Sequence, residues 1–203
     1  MPHPQPKGFL ATPRSGKGRG VLVLHAWWGL NDVMKSFSTR LAEEGFIAFA
    51  PDLFHGKVAT SIEDAKSLVR RHDGDRGKAD IADAVAFLSE RAGQRGEGLA
   101  VIGFSFGAFY AFELSVADPE RIRAAVVFYR TGAGDFSRSK AAYLGHFAEA
   151  DEFEPEADVS SLEEVLRKAG RPVTLDTGSS KAIDRMHTTR PQRHWRGTAP
   201  WPS

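Results

Sequence analysis

Short apolar runs of strand length alternate with helical segments along most of this chain of 203 residues. The apolar runs begin near Gly20, Phe46, Leu99, Ala124, Ala142 and Pro172. Helical spacing of apolar residues recurs in the stretches 31–45, 61–71, 79–91, 106–116 and 160–169. This order of elements is typical of an α/β fold with a mostly parallel, doubly wound sheet and helices on both faces. We therefore expect one α/β domain over residues 1–175 and a separate tail over residues 176–203.

The composition narrows the classes of partner. Lysine and arginine number 27 against 26 for aspartate and glutamate, with no basic cluster, which argues against nucleic acid and anionic membranes as partners. The absence of cysteine excludes disulfides, thiolate metal sites and a cysteine nucleophile. The N-terminus lacks the apolar stretch of a secretory signal, and no apolar run is long enough to span a bilayer. We expect a cytoplasmic protein that acts on a small molecule and needs neither a metal ion nor a cofactor.

The sequence Gly103-Phe104-Ser105-Phe106-Gly107 lies between a predicted strand and a predicted helix. Two glycines at this spacing allow a sharp turn that holds the serine hydroxyl clear of its own backbone. The helix that follows directs its first N–H groups and the positive end of its dipole at a developing oxyanion. A glycine turn without chemical importance can have the same sequence, but its position between strand and helix favours Ser105 as a nucleophile.

A second oxyanion donor is expected from the backbone at the end of an earlier strand. The segment His25-Ala-Trp-Trp-Gly-Leu30 follows the first strong strand, and the backbone N–H of Trp27 is the best candidate. The two tryptophans can equally be core or pocket-wall aromatics, a role compatible with a backbone donor. A histidine at a strand end, such as His25, is more often a hydrogen-bonded structural residue than a catalytic base.

The triad acid of a serine hydrolase with this order of elements follows a later strand, and the histidine comes later still. Asp151 lies between a predicted strand and a predicted helix, in an acidic segment over residues 145–155. Glu149, Glu152 and Glu154 crowd the same segment, and an acidic loop is usually only solvated. The residues alone leave both interpretations of Asp151 open.

Four segments stand in an order that matches a known family. They are Val21-Leu-Val-Leu-His-Ala-Trp-Trp-Gly-Leu-Asn31, Ala50-Pro-Asp-Leu-Phe-His-Gly56, Val101-Ile-Gly-Phe-Ser-Phe-Gly107 and Leu144-Gly-His-Phe-Ala-Glu-Ala-Asp-Glu-Phe153. In them the chain resembles the dienelactone hydrolase family of the α/β-hydrolase fold, in a branch where serine replaces the cysteine of the best-known members. The resemblance implies an ester or lactone hydrolase with Ser105 as nucleophile, Asp151 as triad acid, and the backbone of Trp27 and Phe106 as oxyanion hole. Because the best-known members carry a glutamate where this chain has Ala26, dienelactone itself is not implied as the substrate.

The family's histidine is expected after the last strand, in a segment resembling Gly-His-Trp-Phe-Phe-Glu that precedes a final helix, and this chain has neither. From Asp176 onward the sequence is rich in Arg, His, Thr, Pro and Trp and contains no Val or Leu, which is typical of a disordered tail. Yet the codons ACT GGT TCT TCG AAG encode Thr177-Gly-Ser-Ser-Lys181. With a C in front of them, the same bases read from that C encode His-Trp-Phe-Phe-Glu. Gly197–Ser203 likewise permits Trp-Asp-Arg-Thr-Leu-Ala-Phe in that frame. We therefore interpret residues 176–203 as a divergent, frameshifted tail.

Two functions from different classes follow. The first is a serine hydrolase that cleaves a small ester or lactone through an acyl-enzyme. The second is a catalytically impaired protein of the same fold that at most binds ligands, because a serine without a histidine stays protonated and unactivated. His187 and His194 lie in the tail and match no family motif, so whether His187 or His25 replaces the missing base is left open by the sequence.

Overall fold

The computed structural model describes residues 5–92, 98–148 and 154–177. The strands in these ranges are β1 (Gly8–Ala11), β2 (Gly20–Leu24), β3 (Ile47–Pro51), β4 (Leu99–Phe104), β5 (Ile122–Phe128), β6 (Ala142–His146) and β7 (Val173–Asp176). The helices are α1 (Asp32–Glu43), α2 (Ile62–Arg71), α3 (Gly74–Ala92), α4 (Phe106–Ala117) and α5 (Glu156–Lys168). Asp151, His187 and His194 lie outside the described residues, as does most of the predicted tail, which stays a prediction.

One sheet carries all seven described strands, in the order β1-β3-β2-β4-β5-β6-β7. β1 pairs antiparallel with β3, and every other neighbouring pair is parallel. The predicted mostly parallel sheet is therefore confirmed. Because ligands of such sheets bind outside the carboxyl ends of the strands, the loops after β2, β3, β4, β5 and β6 are the place to look for a site.

Helices cover both faces of the sheet, as predicted. On one face the side chains of α3, α4 and α5 pack with alternate residues of the strands into the main apolar core. On the other face Met34, Phe37 and Leu41 of α1 pack against a second cluster that includes Phe104 and Phe128. The predicted cap of α1 is also confirmed, because the Asn31 side chain accepts a hydrogen bond from the Met34 N–H at 3.1 Å.

The structure adds one strand that was not predicted and begins two helices earlier than predicted. β1 was not predicted, because its pairing with β3 is formed by residues about 40 positions away in the chain. α3 starts at Gly74 rather than residue 79, since Asp73 caps a polar first turn through the N–H groups of Asp75 and Arg76. α5 likewise starts with an acidic, exposed turn at Glu156. Among the described helices, none is both long and apolar enough to cross a membrane.

Candidate active site

Ser105 stands at the sharp turn between β4 and α4. Its φ of 48° and ψ of −106° lie outside the regions that L-residues normally adopt, so the turn stores backbone strain. The Ser105 N–H donates to the Phe128 carbonyl at 2.8 Å, and the Ser105 carbonyl accepts from the N–H of Ala108 at 2.9 Å. The side chain makes no capping hydrogen bond to the helix. The hydroxyl is thus held by a rigid backbone while its oxygen is not engaged by α4.

The two motif glycines are required by backbone contacts. A Cβ at Gly103 would lie 2.6 Å from both the Cα of Ala108 and the carbonyl oxygen of Gly107. A Cβ at Gly107 would overlap the Leu24 carbonyl at the end of β2. Because the obstacles are backbone atoms, neither can move aside cheaply. The glycines therefore let the start of α4 approach both β4 and the end of β2, as the motif spacing predicts.

The loop after β2 forms a tight turn next to this helix start. The Gly29 N–H donates to the Ala26 carbonyl at 3.1 Å, with Trp27 and Trp28 as the central residues and a positive φ of 85° at Gly29. The Ala59 N–H donates to the Trp28 carbonyl at 3.0 Å and fixes the outer side of the turn. Within the described ranges, the backbone N–H groups of Trp27 and Phe106 make no hydrogen bond. Both predicted oxyanion donors are therefore without a protein partner in this part of the chain.

His25 is fully buried at the end of β2. Its Nδ1 lies 2.8 Å from the Ala26 carbonyl oxygen, and its Nε2 accepts a hydrogen bond from the Leu53 N–H at 3.2 Å. Burial lowers the pKa of its ring. Since both ring nitrogens are engaged, the structure places His25 as a hydrogen-bonded structural histidine, in line with the sequence prediction.

Three further histidines lie in the described ranges, and none of them hydrogen-bonds Ser105. The Nε2 of His72 lies 2.7 Å from the Tyr110 hydroxyl, and His55 pairs with Asp80 at 3.3 Å. His146 stacks on Phe128 with ring centroids 4.8 Å apart. Burial lowers the pKa of His72 and that of His146.

His146 and Asp176 form a pair that sequence reasoning did not identify. They are register partners at the carboxyl ends of β6 and β7, and the Nδ1 of His146 lies 3.9 Å from an Asp176 carboxylate oxygen. The signal was present in the predicted strands, because a parallel register places the last residues of neighbouring strands side by side. The pair lies at the same edge of the sheet as Ser105.

The acidic segment after β6 is partly described. Asp151 lies outside the described residues, whereas a carboxylate oxygen of Glu154 accepts hydrogen bonds from the Thr131 N–H at 2.6 Å and from the Thr131 hydroxyl. Thr131 follows the end of β5. At least one of the acidic residues is therefore not simply solvated but ties its segment to the loop beside the nucleophile.

Backbone strain concentrates at this edge of the sheet. In the described ranges, the non-glycine residues with positive φ are His55, Ser105 and Tyr129, and they follow β3, β4 and β5 respectively. Residues held in such conformations cluster at functional sites. Burial raises the pKa of Tyr129 to about 12, so its hydroxyl stays protonated at neutral pH. The strained positions therefore indicate the carboxyl edge of the sheet as the candidate active site.

A model of the dienelactone hydrolase family matches residues 7–179. The chain belongs to the dienelactone hydrolase family. Protein usf of Aquifex pyrophilus is 34% identical over 180 residues, which cover 83% of this chain and 77% of that protein. A carboxymethylenebutenolidase of a Pseudomonas species is 31% identical over 115 residues, covering 52% of this chain and 48% of that protein. A solved dienelactone hydrolase-like promiscuous phosphotriesterase from metagenomic libraries is 25% identical, with a TM-score of 0.68 over 82% of this chain and 71% of that one.

These similarities confirm the predicted α/β-hydrolase fold and make the protein an ester or lactone hydrolase by family. The match to the dienelactone hydrolase family ends at residue 179, close to Asp176, where the composition of the chain changes. The described part of this family member therefore holds the candidate nucleophile and oxyanion donors. The described residues do not include Asp151, the predicted triad acid, and they do not identify the proton acceptor.

Proposed function

We propose that this member of the dienelactone hydrolase family cleaves a small carboxylic ester or lactone through an acyl-enzyme on Ser105. The observation that carries the proposal is the strained turn at Ser105, at the start of α4 where the helix packs against the end of β2. The N–H groups of Trp27 and Phe106, on these two elements, have no described partner. This arrangement suits acyl transfer, because a nucleophile and donors for an oxyanion have to meet at one point.

The proposed reaction has two steps. The Ser105 Oγ attacks the carbonyl carbon while its proton passes to a base, and the carbonyl oxygen becomes an oxyanion that the N–H groups of Trp27 and Phe106 stabilise. The bond to the leaving oxygen breaks, that oxygen takes the proton, and Ser105 is left acylated. A water molecule then attacks the acyl carbon, and the acid and free Ser105 are released. By the family resemblance, Asp151 is the acid that orients the base.

The proposed substrate is a simple ester or lactone with an apolar acyl group. Partly buried aromatic side chains lie at the carboxyl edge: Trp27, Trp28 and Tyr129 in the loops and Phe106 at the start of α4. Aromatic side chains of this kind line small-molecule pockets in which a few polar groups fix the orientation of the ligand. Because Ala26 stands where the best-known members carry a glutamate that modulates their cysteine, dienelactone itself is not the proposed substrate.

A second candidate is a catalytically impaired protein of the same fold that lacks the triad histidine and at most binds ligands. Two observations favour it: no histidine of the described ranges hydrogen-bonds Ser105, and no family histidine motif follows Asp176. Deacylation needs a water molecule that has lost a proton, so a missing base slows this step together with acylation.

Fluorophosphonate labelling and ester hydrolysis separate these candidates. We expect labelling at Ser105, mapped by peptide mass spectrometry, and its loss in Ser105→Ala but not in Ser15→Ala, an exposed serine used as a control. Steady hydrolysis of p-nitrophenyl acetate supports the full hydrolase. A folded sample that is inert to the label and hydrolyses the ester only slowly, without a burst, supports the impaired form, because acylation and deacylation both lack a base. Steady hydrolysis that is unchanged in folded Ser105→Ala would refute both.

A further inference from the structure

The hydrogen bonds of His25 determine which ring nitrogen carries the proton. The Leu53 N–H can only donate, so the Nε2 that lies 3.2 Å from its nitrogen has to accept and is unprotonated. The Nδ1 faces a carbonyl oxygen, that of Ala26, at 2.8 Å and has to donate to it. Burial lowers the pKa of His25 and keeps the ring neutral, which both contacts require.

The Ala26 carbonyl shares a peptide group with the Trp27 N–H. No cis peptide bond occurs in the described ranges, so the C=O and N–H of this group point in opposite directions in one plane. A hydrogen bond that fixes the carbonyl therefore also fixes the direction of the N–H, and it polarises that N–H toward an acceptor. The Gly29 N–H is a second donor to the same carbonyl, at 3.1 Å. The two contacts together leave the peptide group little freedom to rotate.

A second histidine, His72, lies near Leu53. Its Nε2 lies 2.7 Å from the Tyr110 hydroxyl, and burial raises the pKa of Tyr110 to about 12. The backbone of Leu53 partly offsets the lowering of the His72 pKa by burial. The Leu53 backbone thus lies between His25 and His72. Tyr110 belongs to α4, so the chain of contacts runs from that helix to the turn after β2.

His25 also touches the residue that carries the other expected donor. Its ring stacks on that of Phe106 with centroids 6.3 Å apart and meets Phe54 edge-on at 5.0 Å. One buried side chain therefore contacts the loop after β2, the loop after β3 and the first residue of α4. A histidine that served only to fill the core would not need its proton placed toward the Ala26 carbonyl.

We infer that His25 is a positioning residue of the oxyanion hole, which sets the direction of the Trp27 N–H through the Ala26–Trp27 peptide group. The inference rests on the proposed function, since that N–H matters only where an oxyanion forms. His25 does not exchange a proton with the substrate in this role. It acts through the backbone, so its removal is expected to reduce the stabilisation of the transition state more than the binding of the ester.

Three substitutions separate the two contacts of His25. In His25→Asn the amide nitrogen takes the place of Nδ1 and can still donate to Ala26, whereas in His25→Gln the amide reaches the place of Nε2 and loses that contact. His25→Phe keeps the ring and loses both. We expect kcat for p-nitrophenyl acetate to fall about 10- to 100-fold in the Gln and Phe variants and less than about 3-fold in the Asn variant, with KM changed less than about 2-fold throughout. The upper bound follows from the roughly 10²- to 10³-fold loss on removing an oxyanion donor altogether.

Tyr143→Phe is the matched control for a loss of stability alone. The Tyr143 hydroxyl is buried and hydrogen-bonds the hydroxyls of Ser115 and Ser139, each at 2.7 Å, away from the oxyanion loop. This variant is expected to unfold more readily while its kcat per folded molecule stays unchanged. A fall in kcat of the same size in Tyr143→Phe would overturn the inference, because it would trace the loss to general destabilisation.

¹⁵N NMR of the unsubstituted protein reports directly which ring nitrogen of His25 carries the proton, so this test does not depend on the folding of a variant. We expect a proton on Nδ1 and a bare Nε2, and a proton on Nε2 would overturn the inference whatever the activity. A folded His25→Phe with unchanged kcat, or a Gln variant more active than the Asn variant, would also overturn it while leaving the proposed function intact. Absence of any Ser105-dependent chemistry in the starting protein would instead refute the proposed function, and this inference with it.

Discussion

The backbone at Ser105 predicts that replacing the candidate nucleophile with glycine stabilises the protein. The mirror image of its φ and ψ, near −48° and 106°, is open to ordinary residues, and glycine adopts both forms alike. A residue with a Cβ pays about 1–3 kcal/mol for such a conformation. Glycine also makes the unfolded chain more flexible, which stabilises the unfolded state and offsets about 0.4–1 kcal/mol of this gain. The free energy of unfolding of Ser105→Gly should therefore rise by about 0.5–2 kcal/mol, which raises the Tm by about 1–8 °C in a domain of this size.

Ser105→Ala is the matched comparison for this prediction. Alanine removes the same hydroxyl but keeps the Cβ and therefore the strain, so its melting temperature should stay within about 1 °C of that of the starting protein. Urea unfolding and thermal melts of the three proteins, followed by circular dichroism in parallel, measure the difference. A glycine variant that unfolds at or below the alanine variant would refute the strain argument. Both variants should lack Ser105 labelling, so stability and reactivity move in opposite directions at this position.

Three further predictions concern the same edge of the sheet. Gly107→Ala should lower the free energy of unfolding by about 3 kcal/mol or more, because the added methyl group meets the Leu24 carbonyl. Gly74→Ala, where the nearest atom to the added methyl group is the Tyr110 hydroxyl at 3.9 Å, should leave it unchanged, and equal urea midpoints of the two variants would contradict this. His25, His72 and His146 have lowered pKa values and therefore bind fewer protons in the folded than in the unfolded state. The free energy of unfolding should be constant above about pH 6.5 and fall as the pH drops below it, so a urea midpoint that rises from pH 7 to pH 5 would contradict this. Replacing residues 177–203 with the sequence read in the alternative frame should raise turnover by orders of magnitude, since loss of a triad histidine costs about 10⁶-fold; equal turnover of the two proteins would show that the tail is not frameshifted.

Local patterns in the sequence were sufficient to predict most of the elements that surround Ser105. The apolar run of β4, the glycine-flanked serine and the apolar start of α4 are contiguous, so every signal needed to predict the turn lies within about 15 residues. β1 offered no such signal. Its four residues join the sheet only because β3, far along the chain, presents a free edge to them.

The hydrogen bonds within the site could not be predicted either, because they join residues that lie far apart in the chain. The hydrogen bond between His25 and Leu53 joins residues 28 positions apart, and the one between His72 and Tyr110 joins residues 38 apart. A sequence pattern can indicate that a histidine at a strand end is structural, as it did for His25. It does not state which backbone groups the two ring nitrogens meet, and those groups decide what the histidine positions.

The geometry of the candidate nucleophile depends on parts of the chain that precede residue 129. β2, the loop after it, β4, the start of α4 and the Phe128 carbonyl that accepts from the Ser105 N–H are all in place before the acidic segment begins. A change confined to residues beyond Asp176 therefore lies outside the strained turn and both oxyanion donors, and what it takes away is the family histidine and the final helix that follows it. Because attack of the Ser105 hydroxyl on a phosphonate or on an ester needs a base to take its proton, labelling and turnover should fall together when that base is missing. Recovery of both when residues 177–203 are read in the alternative frame would show that the part of the site built by the first 129 residues is intact.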